Sequence, residues 1–301
     1  EGINMIAHSL QLKEGDEVII SKHEHVGGSA PWYALRGEGV TIKSIELDLS
    51  GKNNLQIIDE SISSRTKVIS ISHVLCTTGL RLPVDEIAAL CRRKNIFSCI
   101  DGAQALGMFP IDLEEINADF YVASGHKWLY GPKGTGILYI SKDLIHDLIP
   151  PFTGAHSLRT FDLDDETLDY RETAERFEAG TQNTSHLLGL GSAVDFIQRV
   201  GFGKIENHRK ELYDYMLKRL DKIKGISILS SRNMSTSTSI ITFRPDHKDY
   251  QEFNKQLRKE FRCRCRAVHE NNLNAIRVSL ALYNSKEEIE KLTEGIEELA
   301  K

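Results

Sequence analysis

From Glu17 to Ser141 short apolar runs alternate with stretches of helical periodicity, and no other feature of the chain narrows its fold as far. The runs are "EVII" (Glu17–Ile20), "VTIKSIEL" (Val40–Leu47), "KVISISHV" (Lys67–Val74), "IFSCID" (Ile96–Asp101), "FYVAS" (Phe120–Ser124) and "GILYIS" (Gly136–Ser141). Their length and β-branched content predict strands. Between them, "VDEIAALCRRKN" (Val84–Asn95) repeats its apolar residues at helical spacing. Strand–helix alternation predicts an α/β fold, a mostly parallel sheet covered by helices, with ligands at the carboxyl ends of the strands. Beyond Ser185 the pattern changes. Two helices (Ser185–Gly201 and Lys204–Ile223) lead to strands at Gly225–Ser230 and Thr238–Arg244, a helix around Tyr250–Glu260, strands at Cys263–Val268 and Ala275–Ala281, and a final helix from Lys286. This reads as a large domain over 1–199 and a small α+β domain over 200–301. "DLDDETLDYRETAE" (Asp162–Glu175) reads as an acidic, solvated loop.

Composition removes several function classes. The formal net charge is -5 and the pI about 6.2, which argues against nucleic acid as the main partner. No run approaches the roughly 18 to 20 consecutive apolar residues of a membrane span. The five cysteines (Cys76, Cys91, Cys99, Cys263, Cys265) are scattered, so free thiols in a reducing cytoplasm are expected. Cys263 and Cys265 lack the second pair that a zinc site needs. "GPKGTG" (Gly131–Gly136) lacks the order of a nucleotide-phosphate loop and precedes a strand rather than a helix.

Three strand ends carry chemistry. Asp101 ends one, followed by Gly102 and Gln104; Ser124, His126 and Lys127 end another; Glu24 and His25 follow a third. Singly, each has an ordinary explanation: a solvated lysine, a strand-end aspartate, a packing histidine. Together, an amine, a carboxylate and phosphate donors at one sheet edge suit pyridoxal 5'-phosphate, which needs a lysine for its aldehyde and an acid for its ring nitrogen.

"EHVGGSAPW", "DGAQALG", "SGHKWLYGPKGTGILY", "RFEAGTQN" and "IRVSLALYNSKEEI", in this order over almost the whole chain, resemble the class V aminotransferase family of fold-type-I pyridoxal phosphate enzymes. The family includes cysteine desulfurases, isopenicillin N epimerase-like proteins and several aminotransferases. The resemblance implies that Lys127 holds the cofactor and moves the Cα proton, Asp101 pairs with the pyridine nitrogen, His25 stacks on the ring and Gln104 donates to the ring oxygen. It further implies that Ser124 and His126 bind the phosphate, that Thr181 reaches the phosphate of a partner subunit in a homodimer with shared sites, and that Arg277 binds the substrate α-carboxylate. The opening "EGINMIA" resembles the helix after the family's first phosphate-contacting turn, which implies a preceding segment outside this sequence.

The departures from the family pattern steer the expected reaction. Desulfurases carry a nucleophilic cysteine in the stretch corresponding to "RAVHENNLNAIR" (Arg266–Arg277), which has none. Cys76 stands where desulfurases usually have an asparagine, and Gly28 stands where many relatives do. "FTGAHSLR" (Phe152–Arg159) would lie near the entrance, with His156 a candidate substrate contact. The expected activity is therefore class V transamination of an amino acid, with an epimerase-like reaction as the alternative. Desulfurase or C–S lyase activity and a non-catalytic role rank below both.

Overall fold

The computed structural model describes residues 1–301. In chain order its main elements are α1 (Gly2–Ser9), β1 (Glu17–Ser21), α2 (Val26–Ala34), β2 (Thr41–Ile45), α3 (Asn54–Ser61), β3 (Thr66–Ser72), α4 (Val84–Lys94), β4 (Phe97–Asp101), α5 (Leu113–Ile116), β5 (Phe120–Ser124), β6 (Gly136–Ile140), β7 (Leu158–Asp162) and β8 (Thr167–Tyr170). There follow α6 (Thr184–Val200), α7 (Phe202–Leu220), β9 (Ile226–Ile228), β10 (Ile240–Pro245), α8 (Tyr250–Glu260), β11 (Arg266–Val268), β12 (Ala275–Ser279) and α9 (Lys286–Ala300). No helix is long and apolar enough to cross a membrane.

β1 through β6 form one sheet in the order β2-β1-β3-β4-β5-β6. Every pair is parallel except β5–β6, which is antiparallel. β1 is buried at every position and β3 at all but Lys67, as expected of strands covered on both faces. Alternate residues serve opposite faces. Ile19, Ile69 and Ile100 pack with Ile87 and Leu90 of α4, while Val18, Ile20, Val68 and Phe120 pack with Ile6 of α1 and Trp32 of α2. α4 carries Asp85 and Glu86 in its first turn and Arg92, Arg93 and Lys94 in its last, both matched to the helix dipole. Strand order reverses at β1, which has β2 on one side and β3 on the other. In open α/β sheets such a reversal marks the carboxyl ends of the flanking strands, here β1 and β3, as the ligand-binding crevice.

β9 to β12 form a second, antiparallel sheet in the order β11-β12-β10-β9. Phe243, Phe253, Leu257 and Ile276 join Tyr213, Met216 and Ile296 of the covering helices α7 and α9 in its core. The two sheets meet along the loop after β3. Four consecutive carbonyls there each accept a side-chain bond from the second sheet or its approach: Cys76 from Arg277 Nη1 at 2.8 Å, Thr77 from Thr242 Oγ1 at 2.7 Å, Thr78 from Ser230 Oγ at 2.6 Å and Gly79 from Thr238 Oγ1 at 2.7 Å.

Two expectations need correction. The acidic segment is not a simple loop, because its Thr167–Tyr170 stretch, β8, pairs with the preceding β7 in a hairpin. Its carboxylates are structural: Asp162 Oδ1 accepts from the amides of Asp164 and Asp165 in the turn, and Arg159 pairs across the strands with Asp169 and Glu172. Cys263 and Cys265 precede β11 rather than lying in it, since the chain leaves α8 through Arg262 at a left-handed φ of 57°.

Candidate active site

Ser21, Ser72, Asp101 and Ser124 end β1, β3, β4 and β5 at the same sheet edge. Asp101 Oδ1 accepts from the Ala103 amide at 2.8 Å. Burial raises its pKa, against the opposing pull of that amide, Lys127 and His25. Gly102 is required here, because a Cβ would overlap the Tyr121 ring. Beside Asp101 lies Glu24, which is 7% exposed. Ser21 Oγ donates to its Oε1 at 2.5 Å, and the Ser72 hydroxyl donates to Oε2. Burial pushes the Glu24 carboxyl up to about 7, and the Asp101 charge adds to the rise.

Lys127 follows β5 in a turn closed by a Gly131 N–H to Gly125 O bond of 2.8 Å. Burial pulls its ammonium below the usual lysine range; the Asp101 charge opposes that, while Arg277 and Arg266 reinforce it. Both arginines therefore act on the same amine. Trp128 Nε1 donates to Gln104 Oε1 at 2.8 Å, which leaves the Gln104 amide N–H groups as the free end of that buried side chain. His25 caps α2, its Nδ1 accepting from the Gly27 amide at 3.0 Å. Partial burial and the positive Lys127 and Arg266 lower its pKa.

On the opposite wall, Arg277 sits in β12 directly across from Arg266 in β11. Arg277 Nη1 is anchored on the Cys76 carbonyl, while its Nε is buried without a partner. Burial pulls the guanidinium down to about 10. Arg266 pairs with Glu270 through Nη2, and its Nη1 is likewise buried and unpartnered.

The structure thus brings Lys127, Asp101, His25 and Arg277 into one electrostatic neighbourhood, with Gln104 held beside Lys127 by Trp128. Ser124 is half-buried and His126 exposed at the same strand end. Thr181 is different: it lies in an exposed coil before α6 and forms no hydrogen bond to the other candidates. His156 is exposed, and only its carbonyl is engaged, by Arg171 Nε at 2.8 Å. Glu24 was placed at a strand end by the sequence but given no role, and Arg266 and Glu270 were not among the sequence-derived site residues. The run "EH" did carry a signal for Glu24, whereas the other two depend on strand register.

These residues fit pyridoxal 5'-phosphate. A buried carboxylate suits the ring nitrogen, free amide N–H groups suit a ring oxygen, an exposed imidazole suits the ring face, and an unbridged amine suits the aldehyde. Fold and site together define a fold-type-I pyridoxal phosphate enzyme. The aminotransferase class-V family model matches residues 1–292. A cysteine desulfurase of Escherichia coli O8 (strain IAI1) is 31% identical over 311 aligned positions, covering 99% of this chain and 75% of that protein. The apo structure of a cysteine desulfurase from Thermococcus onnurineus NA1 superposes with a TM-score of 0.90 at 27% identity, over 99% of this chain and 76% of that one. The cystine C–S lyase C-DES, in complex with its reaction product cysteine persulfide, gives 0.87 at 26% identity, over 99% and 78%. The chain belongs to the class V aminotransferase family, and its cofactor is pyridoxal 5'-phosphate.

Proposed function

We propose that the enzyme moves the Cα proton of a free α-amino acid and that its turnover is transamination. The observation that carries this reading is a lysine amine, Lys127, that feels both the buried Asp101 carboxylate and the half-satisfied Arg277. When bound, the cofactor supplies an electron sink that makes the Cα proton labile. Asp101 would hold a proton on the ring nitrogen, Arg277 would orient the α-carboxylate by a forked pair of hydrogen bonds, and Lys127 Nζ would take the proton from Cα and return it elsewhere. His25 would cover the ring, Gln104 would donate to its oxygen, and Ser124 and His126 would hold the phosphate.

The thiols support a route that uses no protein sulfur. Persulfide chemistry needs an accessible thiolate. Cys76 is buried beside Arg277 and burial pushes it up to about 12; Cys265 is pushed to about 12 as well, and Cys263 is also raised. A second reading, elimination at Cβ with C–S cleavage, is favoured by the likeness to the cystine C–S lyase and needs no such thiol either.

The proposal includes a homodimer. Thr181 reaches nothing in its own site, and Val26, Phe161, Leu163, Leu187 and Leu188 are large apolar residues left exposed on α2, the β7–β8 hairpin and α6. It also includes a domain division near residue 200, where α7 enters the second core. Five free cysteines suit a cytoplasmic location. Incubating holoenzyme with an amino-acid panel and a 2-oxo acid acceptor tests the reaction. Transfer of the amino group without free ammonia supports transamination. Ammonia with pyruvate and a released sulfur species supports elimination, and inversion at Cα with neither supports the epimerase-like reaction.

A further inference from the structure

We infer that Arg266 reads the substrate's side chain, and that the substrate is an amino acid whose side chain ends in a hydrogen-bond-accepting oxygen: a carboxylate, a carboxamide or a sulfinyl group. The inference rests on the amino-acid reading of the site and specifies its substrate class.

The argument begins with register. Arg266 and Arg277 are directly opposed across β11 and β12, so their side chains leave the same face of the sheet with Cβ atoms about 5 Å apart. That face looks onto the crevice: Arg277 crosses it to the Cys76 carbonyl, and both cations act on Lys127. Arg277 is committed to the α-carboxylate. Arg266 then stands one strand further along, where the remainder of a bound amino acid must lie.

Its hydrogen bonding is incomplete in a specific way. Glu270, whose side chain is 12% exposed, engages one edge through Nη2, while Nη1 is buried and has no acceptor. A buried N–H on a charged group without an acceptor is costly, and a guanidinium fork can serve two acceptors at once. Glu270 is itself held in place. The next residue, Asn271, adopts a left-handed φ of 49°, and its Nδ2 donates to Glu46 Oε1, just past the end of β2, at 2.7 Å. The guanidinium is therefore aimed before anything binds. Because Glu270 balances its charge, a neutral oxygen is as admissible as an anionic one, whereas a thiol or hydrocarbon side chain leaves Nη1 unmet.

Calorimetric titration of the holoenzyme with α-methyl amino acids tests this without turnover, since they carry no Cα proton. The α-methyl forms of aspartate, glutamate and glutamine are expected to bind at least about tenfold more tightly than α-methylnorvaline, as loss of one charge-assisted hydrogen bond requires. Comparing glutamate with glutamine separates the anionic from the neutral acceptor. In the double variant R266M/E270Q, which removes both charges and strands neither, the preference should collapse towards one. Equal affinities in the wild type, or a preference that survives the double variant, overturn the inference alone. Binding of none of the analogues overturns it together with the amino-acid reading beneath it.

Discussion

Replacing Glu24 by glutamine should flatten the pH dependence of the protein's stability. In the fold the Glu24 carboxyl sits at about 7, chiefly because burial disfavours its charge, against an ordinary value of 4.5. In that interval the folded chain binds a proton that the unfolded chain has lost, so stability falls as pH rises. The contribution is complete below pH 4.5 and gone above about 7. A gap of about 2.5 pH units, at about 1.4 kcal/mol per unit, amounts to about 3 to 4 kcal/mol. With 7% of the residue exposed, solvent screening takes little of this away. Glutamine cannot ionise, and it keeps the acceptor that Ser21 engages. Urea midpoints of wild type and Glu24→Gln, measured side by side from about pH 5 to about pH 8.5, should therefore diverge with the variant gaining relative stability as pH rises. Titrations common to both proteins cancel in the difference. Two curves that stay parallel across this range would refute the assignment of a buried, proton-holding carboxyl beside Asp101.

Lys127→Ala should lower turnover of the preferred amino acid by about 10³-fold or more, and reduction with borohydride should no longer attach the cofactor at residue 127. Arg277→Met should raise KM by about 10- to 100-fold through the lost carboxylate contact, with a smaller effect on kcat; an unchanged KM would place the carboxylate elsewhere. Brief iodoacetamide treatment of the native enzyme near neutral pH should leave turnover intact. All five thiols are raised by burial, so little thiolate is present to react. Rapid inactivation with label on Cys263 or Cys265 would restore a thiol-dependent mechanism.

Much of this site was legible because it is built where strands stop. β1, β3, β4 and β5 are short runs rich in apolar residues, and the polar residues that end or follow them, such as Asp101 and Lys127, can be placed at one edge without knowing any side-chain contact. What escaped depends on distant residues meeting. Glu24 could be placed at a strand end, but not its burial, which depends on hydroxyls from two different strands converging on it. Arg266 faces Arg277 only once the β11–β12 register is fixed. α2 holds Gly27, Gly28 and Pro31, residues that disfavour a helix interior. It forms a helix because His25 caps it and Trp32 enters the core of the large sheet. The acidic segment pairs into a hairpin through Arg159, a partner outside the run whose charge defined it.

The four successive carbonyls from Cys76 to Gly79 have a consequence for selectivity. A bound amino acid would be gripped at its nitrogen end from one core and at its carboxylate end from the other, and these stapled carbonyls set the gap between the two grips. The gap is thus fixed by short, buried, uncharged threonine and serine contacts together with Arg277 itself. On the proposed reading such a gauge of preset length would disfavour β- and γ-amino acids, whose ends lie too far apart to register with both grips.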